Sequence, residues 1–159
     1  MRIIGIDPGT GRVGFGCIEI TSKTPKLIDA GVITTTIRGE SSMRLQELYQ
    51  SLSELLSEVK PDIASVEKLF FAQNVTTAME VSQARGVILF CLQNAGVKIA
   101  EYTPLQIKMA ITGYGRAKKA DIQEMVRLQL GLTEKPKPDD CADALAAALT
   151  HASSLLYNR

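Results

Sequence analysis

An acid at the end of an otherwise apolar run constrains the fold of this chain more than any other feature. Ile3, Ile4 and Ile6 lead to Asp7, and Pro8-Gly9 then cuts the run off with a pair suited to the middle of a type II turn. The run reads as a buried strand that ends at a carboxylate. Side chains alternate along a strand, so Ile3, Gly5 and Asp7 share one face while Ile4 and Ile6 share the other. A carboxylate at the tip of a central strand is costly unless a cation meets it. Fixing the turn through its own backbone is the simpler use for the same side chain.

The chain continues with Val13 to Ile20 and Lys26 to Thr36 as second and third strands, and the short links predict antiparallel hairpins. Gly5, Gly9, Gly11, Gly14 and Gly16 crowd the strand tips, either bending a twisted sheet or admitting a close backbone or phosphate. Ser41 or Ser42 is positioned to cap a helix with Leu45, Leu48, Leu52, Leu55, Leu56 and Val59 at helical period, ending at Lys60-Pro61. A fourth strand, Asp62 to Glu67, follows this crossover helix. It is expected to run parallel to the first, and it also ends in an acid. In open sheets function collects at such strand ends.

A helix is predicted from Asn74 to Ala95, with Val87 to Leu92 apolar nearly all round, so more than one side of it should be covered, by the sheet or by a second subunit. Val97 to Tyr102 reads as a fifth strand. Thr103-Pro104 then opens a short helix that Gly113-Tyr114-Gly115 breaks. Asp121 to Leu130 is helical up to Gly131, and a last helix opens around Asp139 and runs to about Tyr157. The expected fold is α/β, a single domain over residues 1–159.

Charge is balanced, with 18 Lys and Arg against 17 Asp and Glu, so any nucleic-acid surface must be local. Lys108, Arg116, Lys118 and Lys119 supply one: the segment from Lys108 to Lys119 contains no acid. Short basic runs are more often plain solvated loops. Tyr114 offers a ring for stacking there, although a surface tyrosine is the commoner outcome. Cys17, Cys91 and Cys141 have no CxxC spacing, which fits a reducing cytoplasm. The longest apolar stretch is too short for a bilayer, no secretion signal is visible, and no membrane association is expected. The only histidine, His151, reads as structural.

Helical spacing puts Asp143 on one face with either Asp139 or Asp140. Acids in a first helical turn also simply favour the positive end of the dipole. Two strand-end acids and a helix-start pair meeting in one small volume would repel one another unless divalent cations sat between them. Their all-oxygen donors favour Mg2+, or Mn2+, over zinc. Two such ions would suit phosphodiester hydrolysis. Lys119, folded over the same site, would add positive charge where the transition state becomes more negative.

These stretches, Ile4-Gly5-Ile6-Asp7-Pro8-Gly9, Val66-Glu67 followed by Phe70, and Asp140-Cys141-Ala142-Asp143-Ala144-Leu145, resemble the bacterial RuvC crossover-junction endonucleases of the ribonuclease H-like superfamily. The likeness runs over essentially the whole chain and implies a central five-stranded mixed sheet, its first three strands antiparallel, flanked by helices. It implies that Asp7, Glu67, Asp140 and Asp143 are the metal-binding catalytic acids, choosing Asp140 over Asp139. It also implies that Phe70 wedges against bases and that Lys108 and Lys119 touch phosphates near the cut. Cys141 departs mildly from the small apolar residue usual at its place.

A four-way junction substrate follows from the resemblance, as does a branch-migration helicase as partner. Nicking two symmetric strands suits a two-fold homodimer. An actin-like or sugar-kinase-like ATPase domain, whose Asp-x-Gly-Thr turn is similar, and a non-catalytic junction-binding module are the alternatives.

Overall fold

The computed structural model describes residues 1–9, 11–21, 24–36, 40–68 and 75–157. In chain order the elements are β1 (Arg2–Asp7), β2 (Arg12–Ile20), β3 (Pro25–Thr34), α1 (Ser41–Val59), β4 (Ile63–Glu67), α2 (Val75–Asn94), β5 (Lys98–Tyr102), α3 (Pro104–Thr112), α4 (Lys119–Leu130) and α5 (Asp139–Tyr157). The five strands form one mixed sheet in the order β3-β2-β1-β4-β5. β1, β2 and β3 pair antiparallel, while β4 lies parallel to β1 and β5 parallel to β4. The predicted α/β class and strand directions therefore hold. Among the described residues no helix is long and apolar enough to cross a membrane.

The alternation along β1 sorts the core into two layers. Ile4 and Ile6 face α1 and α2, meeting Leu48, Leu52, Ile88 and Leu92. Ile3 faces the other way, into a layer that α3, α4 and α5 build from Ile107, Ile111, Ile122, Val126, Leu145 and Leu149. Asp7 shares the parity of Ile3 and so belongs to the α5 side of the sheet.

α5 can lie almost on the strands because the row beneath it is small. The strand registers align Ala30, Gly16, Gly5, Ser65 and Ala100 across all five strands. A Cβ on Gly5 would collide with the Ala144 carbonyl oxygen, and one on Gly14 with that of Asp140. Ser65, fully buried, donates its hydroxyl proton to the Ala147 carbonyl at 2.6 Å. Close approach to a helix backbone is thus what the strand glycines permit, and it holds the first turn of α5 against the end of β1.

Several local expectations are corrected. Gly9 is not left-handed, so Pro8-Gly9 is not the centre of a type II turn; the positive φ, 74°, falls at Gly11. Space is what Gly9 provides, since a Cβ there would strike the Arg12 carbonyl. Neither Ser41 nor Ser42 caps α1: Glu40 holds the cap position without a side-chain bond, and Ser41 instead donates to Gln83 of α2 at 3.2 Å. β3 stops at Thr34, because the Thr36 amide and hydroxyl turn to the Glu47 carboxylate at 2.8 and 2.9 Å. α4 begins at Lys119, two residues before the expected Asp121, whose carboxylate accepts from the Lys118 amide at 2.8 Å. Thr103 does cap α3 in a capping box with Gln106, Pro104 at its first position, and Gly131 ends α4.

Candidate active site

Parallel pairing carries the first two acids to one place. Ile6 lies opposite Val66, so Asp7 and Glu67, the next residues along, leave the sheet side by side at the ends of β1 and β4. Their carboxyl groups share a hydrogen bond. α5, seated on the glycine row, adds Asp140 and Asp143 from its first turns. Asp7 is pushed up to about 8, by burial first and then by the negative charges of Glu67, Asp143 and Asp140. Glu67 is also raised, by burial and by Asp143, although Lys108 and Lys119 oppose the shift. Asp143 rises through burial despite Lys119 beside it.

Each of the helix acids has a cation at hand. Lys119 Nζ stands 3.1 Å from Asp143 and 3.5 Å from Asp139. Burial pulls the Lys119 pKa down, but the hydrogen bonds and charges of Asp143 and Asp139 outweigh it and leave the amine raised and protonated. Arg12, at the start of β2, puts Nη2 2.9 Å from Asp140. Asp7 and Glu67 have no ion-pair partner among the described residues. A buried carboxyl pair that must keep a proton for want of positive charge is the environment into which a cation binds with gain.

Among the described residues no group of three or more His, Cys, Asp or Glu side chains is gathered tightly enough to hold a metal ion as it stands. Asp140 and Asp143 are instead engaged with Arg12 and Lys119. The donor set nonetheless fits a hard divalent ion, being entirely carboxylate oxygen and one cation short at Asp7 and Glu67.

A cleft of about 290 Å³ opens beside the acids, lined by Glu67, Lys108, Lys119 and Asp143 over a floor that includes Ile107 and Ala146. Lys108 and Lys119 are therefore brought to the acids. Arg116 and Lys118 sit exposed in the turn before α4, away from that cleft. Asp139 is turned outward, accepting from Gln123 at 2.7 Å, and its charge is not among those acting on Asp7, whereas that of Asp140 is. Phe70 lies outside the described residues. His151 meets the Tyr102 hydroxyl at 2.8 Å through Nδ1, and burial lowers its pKa, which keeps it neutral and fits a structural role.

Arg12 is the site residue that sequence reading missed. Its signal was present, since a tight hairpin after Asp7 returns Arg12 to within two residues of Gly14, the register partner of Asp7.

The chain is similar to known proteins over nearly its whole length. The family described as crossover junction endodeoxyribonuclease RuvC matches residues 3–151. A protein of that name from Caldicellulosiruptor saccharolyticus is 51% identical over 99% of this chain and 97% of its own length. Another from Chloroflexus aurantiacus is 50% identical over 96% of this chain and 93% of its own. The structure of Thermus thermophilus RuvC in complex with a Holliday junction substrate superposes with a TM-score of 0.93 at 34% identity, covering 99% of this chain and 96% of that one.

Proposed function

The chain belongs to the RuvC family of crossover junction endodeoxyribonucleases, and we propose that its four-carboxylate site nicks paired, symmetric strands of a four-way DNA junction during recombination and repair. It is a DNA endonuclease that resolves Holliday junctions. What supports this site for the chemistry is one observation: the negative charges of Glu67, Asp143 and Asp140 all act on Asp7, and Glu67 and Asp143 line a cleft shared with two lysines. The ATPase and non-catalytic alternatives give way to the family and to the presence of all four acids.

In this reading Asp7, Glu67, Asp140 and Asp143 hold Mg2+, or Mn2+, as two ions per site. When bound, such ions supply the positive charge that activates a water and stabilises the departing oxygen of a phosphodiester. The chain's own groups do the rest. Asp7 and Glu67 give up the proton they share as positive charge arrives. Lys119, protonated and hydrogen-bonded to Asp143, offers its charge to the phosphate as negative charge grows there. Lys108, which lines the same cleft, binds a neighbouring phosphate. Arg116 and Lys118 extend the basic track beyond the cleft, and Phe70 is assigned the base-wedging role on family likeness alone.

Two sites are needed to nick two strands, and a homodimer provides them. The apolar stretch of α2 supports this assignment, for Phe90 is 63% exposed and meets the ring of Tyr49 of α1, ring centroids 6.2 Å apart. A branch-migration helicase partner and a cytoplasmic setting complete the proposal, the latter supported by three free, buried cysteines.

A synthetic four-way junction run beside linear duplex tests it. Magnesium-dependent, paired nicks confined to the junction are expected; equal cutting of duplex, or cutting in chelator, would overturn it. Sedimentation at micromolar concentration checks the dimer, and a monomer would remove it.

A further inference from the structure

The outer face of α3 is apolar where a solvated helix would be polar. Leu105 and Met109, one turn apart, are 60% and 49% exposed, and Tyr114 in the following turn is 58% exposed. They form one patch, because the backbone of Gly115 fits against the first two: a Cβ there would fall 2.7 Å from Leu105 Cδ1 and 3.5 Å from Met109 Sδ. The turn that presents Tyr114 is fixed, not loose. Gly113 caps α3 with its amide on the Met109 carbonyl at 2.9 Å, the Tyr114 amide donates to Thr112 Oγ1 at 3.1 Å, and the Ala117 amide donates to the Tyr114 carbonyl at 3.1 Å.

Charge decides what such a patch receives. No acid occurs between Pro104 and Ala120, whereas Lys108, Arg116 and Lys118 fall in the same stretch of chain. Arg116 and Lys118 have no ion pair with any described residue. Apolar side chains in a cationic stretch suit a polyanion that also offers flat apolar faces, which is a nucleic-acid strand with unstacked bases. Lys108 gives the continuity, since it sits between Leu105 and Met109 on α3 and also lines the cleft with Glu67 and Asp143. A strand held by Lys108 in that cleft would lie beside the helix that carries Leu105 and Met109.

We propose that Leu105, Met109 and Tyr114 form an apolar platform on which unstacked bases of the junction strand pack beside the cut, while Lys108, Arg116 and Lys118 hold its phosphates. The inference rests on the junction-nuclease reading and adds a place where departure from duplex geometry is sensed.

The experiment uses four-way junctions carrying 2-aminopurine at single positions around the branch point, in buffer with chelator so that binding is read without cutting. The wild-type protein is compared with Leu105→Ala/Tyr114→Ala and with Tyr114→Phe, each checked for an unchanged melting curve. For the double variant, junction affinity should fall about 10- to 100-fold, the range expected when one or two stacked bases lose their platform. Its 2-aminopurine enhancement should disappear at one or two positions, and its affinity for linear duplex should stay within about twofold of wild type. Tyr114→Phe keeps the ring and should match wild type. Unchanged junction affinity and fluorescence in the double variant would overturn the platform and leave the patch to a protein partner; equal loss on duplex would also overturn it. Failure of the wild-type protein to prefer junctions over duplex would instead defeat the underlying nuclease reading.

Discussion

The two halves of the acid cluster solve the same electrostatic problem in opposite ways. Asp140 and Asp143, on α5, each stand within 3.1 Å of a cation, Arg12 and Lys119. Asp7 and Glu67, on the sheet, have no such neighbour among the described residues and share a hydrogen bond, with Asp7 pushed up to about 8 by burial and by the acids around it. On the helix half the chain's own cations offset part of the charge, although burial still raises Asp143. The strand half keeps a proton where a metal ion would serve better. On the proposed metal-binding reading, the difference predicts that a divalent ion would gain most at the two strand ends, while the helix acids would have to leave their side-chain cations to join it.

Removing the uncompensated half has the largest consequence. Asp7→Asn should lower the cleavage rate by at least about 1,000-fold while junction affinity stays within about twofold, if, as proposed, the acids do the chemistry and the basic surface supplies binding. Undiminished cutting would take Asp7 out of the site. On the helix half, Lys119→Ala should slow single-turnover cleavage by about 10- to 100-fold with a smaller loss of binding. Equal losses in both would make Lys119 a phosphate contact only.

Arg12→Ala frees Asp140. Without DNA, Mn2+ binding measured by calorimetry should tighten by about two- to fivefold, since an exposed ion pair of this kind contributes about 0.2–1 kcal/mol. Weaker Mn2+ binding would mean that Arg12 supports the metal site instead of competing with it. The smallest effect is on stability. Asp7 has a folded pKa of about 8 against an ordinary 3.8, so the folded state holds its proton more tightly. The stability this proton contributes is complete at the acid end of that window and is lost as pH rises through the folded value. In chelator, therefore, Asp7→Asn should melt higher than wild type at pH 8, by about 2–4 °C if about 1 kcal/mol is recovered. The gap should narrow steadily toward pH 4; a lower melting point for the variant at both ends would contradict the shift.

Much of this site was legible in the sequence because strand periodicity alone places an acid after three apolar residues at a strand end, twice. Asp7 and Glu67 needed only a parallel pairing, which the intervening helix α1 imposed. The helix acids were harder. Spacing permitted Asp139 as readily as Asp140, and family likeness, not geometry, separated them in advance. What separates them in space is how the first turn of α5 sits against β1 and β2, a rotation set by Gly5, Gly14 and the Ser65 hydroxyl. Those glycines carried a visible signal, but close approach by a helix and close approach by a phosphate look alike in a one-dimensional pattern. Local turn chemistry was the least legible part. Gly9 and Gly11 differ in conformation for tertiary reasons, and Ser41 is diverted from capping by Gln83, a residue 42 positions away.

The proton on Asp7 is the most direct gauge of the whole account. Its side-chain carboxyl carbon, followed by NMR across pH in chelator and again with saturating Mg2+, should titrate near 8 without the ion and move well into the acid range with it. Titration near 3.8 in chelator, or a midpoint that magnesium leaves unmoved, would contradict a carboxylate cluster waiting for divalent charge.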